Sequence, residues 1–134
     1  MSRPFVYAAN WKMNKSPQEA QAFFTELRGQ SVKNEKLECL FFAPAISLVA
    51  VSNCCAETPW GWGSQNTHFE DHGAFTGENS PAVVAGLGAT HGLVGHSERR
   101  SLFKEEGPLL AKKMAALLRH QTVSYTHLTL PTKA

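Results

Sequence analysis

The chain has 134 residues, 43% hydrophobic and 18% charged, which describes an ordinary globular chain long enough to bury one core. A formal net charge of +2, with no basic run longer than Arg99-Arg100 or Lys112-Lys113, lacks the electrostatic footprint of a nucleic-acid binder. The longest apolar run, Cys39 to Val51, is interrupted by Pro44 and falls far short of the ~20 residues a membrane helix needs, so no membrane partner is expected.

The opening MSRPFVYAAN has no apolar h-region and does not read as a signal peptide. Cys39, Cys54 and Cys55 are an odd set without metal-motif spacing, which suits free thiols in a reducing compartment. A cytoplasmic location is the expectation. The run Phe5 to Asn10, FVYAAN, is too apolar for a half-exposed strand and reads as a parallel strand buried on both faces. Next, Ser16 can cap a helix that Pro17 begins, with Glu19 completing a capping box. Ala20, Phe23, Phe24 and Leu27 recur on one face, and Gly29 is placed to end it. LECLFF then reads as a strand ending at Ala43-Pro44, and AISLVAVSNCC as its helix. A weaker strand lies in WGWGSQN, followed by a long polar loop and a helix begun by Ser80 and Pro81. THGLVG is the fourth strand, and EEGPLLAKKMAALLRH carries Leu110, Met114 and Leu117 at helical spacing. About four alternations of strand and helix predict an α/β fold with a parallel sheet.

In such folds the chemistry gathers at the carboxyl ends of the strands. Those positions hold NWKMN, APA, SQN and GHSERR. A lysine at a strand end, Lys12, can hold a phosphate or an oxyanion. His96 at the same end can polarise a carbonyl, and Ser97 to Arg100 open a helix whose free N–H groups disfavour an imidazolium. Each has a plainer reading alone: a surface lysine, and a hydrogen-bonded histidine. His68, Glu70, Asp71 and His72 invite a metal reading, but so polar a loop is read as solvent-exposed and no metal is expected. GLGATHG lacks the third glycine of a dinucleotide fingerprint.

AANWKMN, SQN ahead of GAFTGENSP, and VGHSERR resemble, in order and spacing, the signature segments of the triosephosphate isomerase family, over Arg3 to about Gln121. The resemblance implies a TIM (β/α)8 barrel that interconverts dihydroxyacetone phosphate and glyceraldehyde 3-phosphate in glycolysis and gluconeogenesis, as a homodimer and without a cofactor. It further implies that Lys12 binds the substrate's phosphate and oxygens, with Asn10 beside it and Trp11 fixing the backbone between them. His96 would be the electrophile, kept neutral by a helix N-terminus as the family carries it. Ser97, Glu98 and Arg99 would stand behind these, Glu98 pairing with Lys12. Phe75, Thr76, Gly77 and Glu78 would belong to the loop that reaches the partner subunit.

A barrel of this kind runs to roughly 250 residues, so the fold expected here is half of a TIM barrel, about four βα units, over residues 1–121. The later strands, the family's glutamate base, its lid loop and its phosphate cradle have no counterpart, so a fragment without isomerase activity is expected. VSYTHLTLPT resembles a translated transposon-end sequencing adapter, and residues 122–134 are expected to be a non-native tail. A terminal strand from Val123 to Leu130 is the alternative its Val, Tyr and Thr residues allow. The rival reading from another class is a non-catalytic half-barrel that binds an anion at Lys12 or associates through its open edges. A flavodoxin-like nucleotide binder lacks its phosphate loop.

Overall fold

A computed structural model describes residues 5–30 and 37–126. Five strands, β1 (Phe5–Asn10), β2 (Leu37–Ala43), β3 (Gly61–Ser64), β4 (His91–Val94) and β5 (Val123–Thr126), form one sheet in the order β1-β2-β3-β4-β5. Every pairing is parallel. Between them run α1 (Pro17–Gln30), α2 (Leu48–Cys55, entered through a 3-10 turn at Ala45–Ser47), α3 (Pro81–Gly86), α4 (Ser97–Leu102) and α5 (Gly107–Arg119). This is half of a TIM barrel. The sheet has one strand more than the four expected: Val123–Thr126 lies in register on β4, His91 opposite Val123, and residues 127–134 are outside the described part. No helix among the described residues is long and apolar enough to cross a membrane.

The local signals explain the helix starts. Ser16 and Glu19 form the reciprocal box, the Glu19 N–H donating to Ser16 Oγ at 3.1 Å and the Ser16 N–H to Glu19 Oε1 at 3.0 Å. Ser80 Oγ accepts from the Val83 N–H at 3.2 Å, with Pro81 in the first turn. Helix α1 runs through Gly29 to Gln30, one residue beyond the expected stop.

The two faces of the sheet carry separate cores. Outside, Ala20 and Phe24 of α1 pack with Phe41, Val51, Trp11 and Trp62, and Leu110 and Leu117 of α5 pack with Val94. Inside, Leu40 and Phe42 of β2 meet Leu93 of β4, and Tyr125 packs against them. The Phe42 and Tyr125 rings are 5.5 Å apart although two strands lie between theirs, so the sheet is curled with this face concave. Gly63 sits between them because a Cβ there would stand 1.9 Å from the His91 carbonyl oxygen, closer than any side chain allows.

Two expectations fail. β1 is not buried on both faces: Phe5 is 76% and Tyr7 60% exposed, because β1 is an edge of the described sheet with no strand beyond it. In α5, Met114 lies outward and Lys113 inward, 37% and 4% exposed, because Lys113 is drawn in by buried polar partners.

Candidate active site

The loops leaving the carboxyl ends of β1, β3 and β4 converge on an open pocket of about 460 Å³, lined by Asn10, Lys12, Gln65, Asn66, His96 and Glu98 among others. A smaller hollow of about 260 Å³ lies on the concave side of His96, against Ser97, Phe42, Leu93 and Tyr125. The parallel topology brings residues distant in sequence to one end of the sheet.

Trp11 is the anchor of the first loop. Its ring packs on Phe23, Phe24 and Phe41, and its backbone N–H donates to the Phe42 carbonyl at 3.0 Å. Lys12 follows with φ +57, a left-handed conformation that costs a non-glycine residue about 1–2 kcal/mol. Its N–H donates to Asn10 Oδ1 at 3.0 Å, and Nζ lies 2.7 Å from Glu98 Oε1. That hydrogen bond from Lys12 holds the Glu98 carboxyl below the usual carboxylate range. Both side chains remain substantially exposed, 57% and 42%, so the pair is a positional contact more than a source of stability.

Gly95, with φ +72, turns the chain out of β4, and His96 then caps α4. Its Nδ1 accepts the Glu98 N–H at 3.2 Å. A nitrogen that accepts a hydrogen bond carries no proton, so the proton of a neutral imidazole sits on Nε2. Glu98 Oε2 lies 3.7 Å from the same Nδ1, which would suit an imidazolium, but that is beyond hydrogen-bond distance and Lys12 already neutralises the carboxylate. The backbone hydrogen bond decides the tautomer.

Behind α4 lies a buried polar group. Arg99 Nε and Lys113 Nζ each donate to Glu105 Oε2 at 2.7 Å, and Lys113 also donates to Asn66 Oδ1 at 2.8 Å. Glu105 is 5% exposed; burial pushes its carboxyl up, and hydrogen bonds from Lys113 and Arg99 outweigh this and leave it below the usual range. The loop Phe75–Glu78 stands outside the pocket: all four residues are exposed, and Gly77 has φ +92. It is tied in at both ends, the Phe75 ring packing on His68 with centroids 4.2 Å apart and Asn66 Nδ2 donating to Glu78 Oε1 at 3.3 Å. Among the described residues no group of three or more His, Cys, Asp or Glu side chains is arranged to hold a metal.

Asn10, Trp11, Lys12, His96, Ser97, Glu98 and Arg99 are thus brought together, while Phe75, Thr76 and Gly77 are not. Gln65 and Asn66 were marked by their place after a strand and by the SQN segment of the family resemblance, with no role assigned to either. Gln65 Nε2 is the donor to Asn10 Oδ1, the Lys12 carbonyl and the Phe42 carbonyl, at 3.0, 2.9 and 3.2 Å. Glu105 and Lys113 carried no signal that separates them from surface charges.

The sequence model of the triosephosphate isomerase family matches residues 5–126. The chain is 44% identical over 120 residues to a triosephosphate isomerase of Streptococcus suis, covering 90% of this chain and 48% of that protein. It is 46% identical over 110 residues to one of Bdellovibrio bacteriovorus, covering 82% of this chain and 45% of that protein. A Streptococcus equi subsp. zooepidemicus triosephosphate isomerase is 41% identical over 117 residues, 87% of this chain and 46% of that protein. The chain spans about half the length of the curated relatives it matches. With the family match running from the first strand to the last, the chain belongs to the triosephosphate isomerase family.

Proposed function

We propose that these residues form the electrophile and cation half of a site that interconverts dihydroxyacetone phosphate and glyceraldehyde 3-phosphate. The observation that carries this is the His96 tautomer: Nδ1 accepts the Glu98 N–H, so a neutral ring carries its proton on Nε2, the atom that would donate to an oxygen gaining charge as an enediolate forms. Lys12, at the rim of the same pocket and paired with Glu98, supplies the positive charge that an anionic triose phosphate requires. The reaction moves a proton between adjacent carbons and needs no cofactor, only a base. Glu98 is the one carboxylate among the described residues that lines either hollow, and Lys12 holds it. The 134 residues alone are therefore expected to show no isomerisation, because general-base catalysis worth typically ~10²–10⁴-fold is missing. Assembly as a homodimer through the loop Phe75–Glu78, in the cytoplasm where the three thiols stay free, belongs to the same reading.

The test is a chimera of residues 5–126 with the portion of the Streptococcus suis relative that this chain does not cover, assayed for interconversion of the two triose phosphates. Activity is expected, and His96→Gln should lower kcat by about 10²–10³-fold with a smaller change in KM, as loss of a charge-stabilising donor does. A folded chimera without activity, or one in which His96→Gln changes only KM, would overturn the proposal. The 134-residue chain, purified from a host lacking its own isomerase, supplies the matching control.

A further inference from the structure

We propose that Asp71 is a positioning residue for the loop Phe75–Glu78: with His120 and Arg119 it fastens the outer arm of that loop to the end of α5 and so sets where Phe75 and Thr76 stand. The inference rests on the reading of this loop as the part that reaches a second copy of the chain.

The connection from β3 to α3 is fastened on its inner side by main-chain bonds, the His68 N–H donating to the Asn79 carbonyl at 2.9 Å and the Glu78 N–H to the Phe75 carbonyl at 3.0 Å. Positions 69–74 make no hydrogen bond to other main-chain atoms among the described residues. Side chains of α5 and of the residue after it hold them instead. Arg119 Nη2 donates to the Phe69 carbonyl at 3.1 Å and lies 3.4 Å from Asp71 Oδ1, which is 2.8 Å from His120 Nε2. Lys112, seven residues before Arg119 and so on the same helix face, places Nζ over the Phe69 ring, 5.1 Å from its centroid. A carboxylate can only accept, so His120 donates through Nε2 whether its ring is neutral or charged. Asp71, one of the four residues that invite a metal reading, is thus turned to α5.

Gly73 carries the hold to the tip. With φ +144 it bends the chain back, and a Cβ there would stand 2.7 Å from the Phe75 ring. The ring therefore touches both the Gly73 bend and His68, the latter with centroids 4.2 Å apart. Only His72 separates Asp71 from that bend, so holding the carboxylate holds the wall on which Phe75 packs. Exposed ion pairs usually contribute little. This one matters because the arm has no main-chain tie of its own, and because α5 is itself fixed through Lys113 on Glu105 and Asn66.

The test is NMR of the isotope-labelled 134-residue chain and of two variants of equal side-chain size, Asp71→Asn, which keeps an oxygen acceptor, and Asp71→Leu, which has none. In Asp71→Leu the NOE between the Phe75 and His68 rings should fade and the Glu78 amide should exchange about fivefold faster, the size expected for loss of roughly one hydrogen bond. Asp71→Asn should stay within about twofold of the unsubstituted chain, a rescue that a merely space-filling role would not produce. His120→Ala supplies an independent readout. The hydrogen bond from His120 holds the Asp71 carboxyl below the usual carboxylate range, so its titration midpoint should rise toward the ordinary value of about 3.9 in that variant. Amides of the Ser16–Glu19 box and of Phe41 should keep their protection throughout. The proposal is overturned if Asp71→Leu leaves the ring contact and the Glu78 exchange unchanged, if the two Asp71 variants behave alike, or if the Asp71 midpoint does not move in His120→Ala. Loss of core protection in both Asp71 variants would overturn it too, since the effect is confined to the loop. Sedimentation of the chimera with the Streptococcus suis portion judges the second copy separately: a dimer whose dissociation constant rises about fivefold in Asp71→Leu supports both readings. A monomeric chimera would overturn the partner reading alone, because the hold of Asp71 on the loop is read within the single chain.

Discussion

At the scale of single residues, Asn10, Lys12 and His96 were marked by standing just after apolar strands, where Lys12 and His96 each read alone as a surface lysine and a hydrogen-bonded histidine, and Trp11 and Glu98 were added by the family resemblance. Gln65 could not be assigned a role that way. A half-buried amide acts through three distant backbone and side-chain oxygens, and no local pattern records such a partner set. Lys12→Met in the chimera should impair both KM and kcat, because the charge faces the anionic substrate in the ground state and the transition state alike; competitive inhibition by a phosphate-bearing analogue measures the binding share. Unchanged inhibition would remove Lys12 from the binding role. His91 makes a different prediction. Burial lowers its pKa from the ordinary histidine value, with Glu38 at 3.8 Å opposing in part. The unfolded chain therefore binds this proton first, and stability should fall as pH drops through the ordinary histidine range toward the lower folded value. His91→Asn should flatten that slope in urea titrations at pH 5 to 7; an unaltered slope would mean the ring does not titrate with folding.

Among the elements, the starts of helices were the most legible because capping is local chemistry. Ser16→Ala should cost about 1 kcal/mol in a denaturant melt, the usual worth of an N-cap. On the inward face of α5 Leu110 and Leu117 are buried as their spacing suggests, and Met114 is not, for a nonlocal reason. Apolar spacing favours Met114, but Glu105 and Asn66 lie on the other side and draw Lys113 into the interior. Removing one member of such a buried set is costly: Lys113→Met leaves Glu105 with Arg99 alone and Asn66 Oδ1 without its donor, and should destabilise by about 1–3 kcal/mol. The pH dependence follows the folded-state carboxyl, which lies below its unfolded value. Its stabilisation is present above the unfolded carboxylate range and is lost as pH falls through the lower folded one. Thermal melts from pH 7 to 3 should show a smaller acid loss in Lys113→Met than in the unsubstituted chain, and an equal loss would place the acid sensitivity elsewhere.

For the whole molecule, the alternation of strand and helix was enough to predict an α/β fold with a parallel sheet, and the family resemblance with the chain's length narrowed it to half a TIM barrel, but burial was not predictable from either. FVYAAN has the composition of an interior strand, yet interior and edge differ only in whether a neighbour pairs with it, which composition does not encode. An edge exposing Phe5, Val6 and Tyr7 should make the isolated chain associate as its concentration rises, and Tyr7→Lys should reduce that in sedimentation experiments. Concentration-independent sedimentation of the unsubstituted chain would contradict this. The strand order has a consequence for synthesis. Because order in the sheet repeats order along the chain, each strand pairs with the one made just before it, as His91 does with Gly63 and Val123 with His91. On a ribosome no strand waits for a partner not yet translated, so the sheet can grow outward from β1 and β2 at the pace of elongation. Lys12 thus leaves the tunnel before any sheet exists, and Gln65, which donates to the Lys12 carbonyl, follows only with the end of β3.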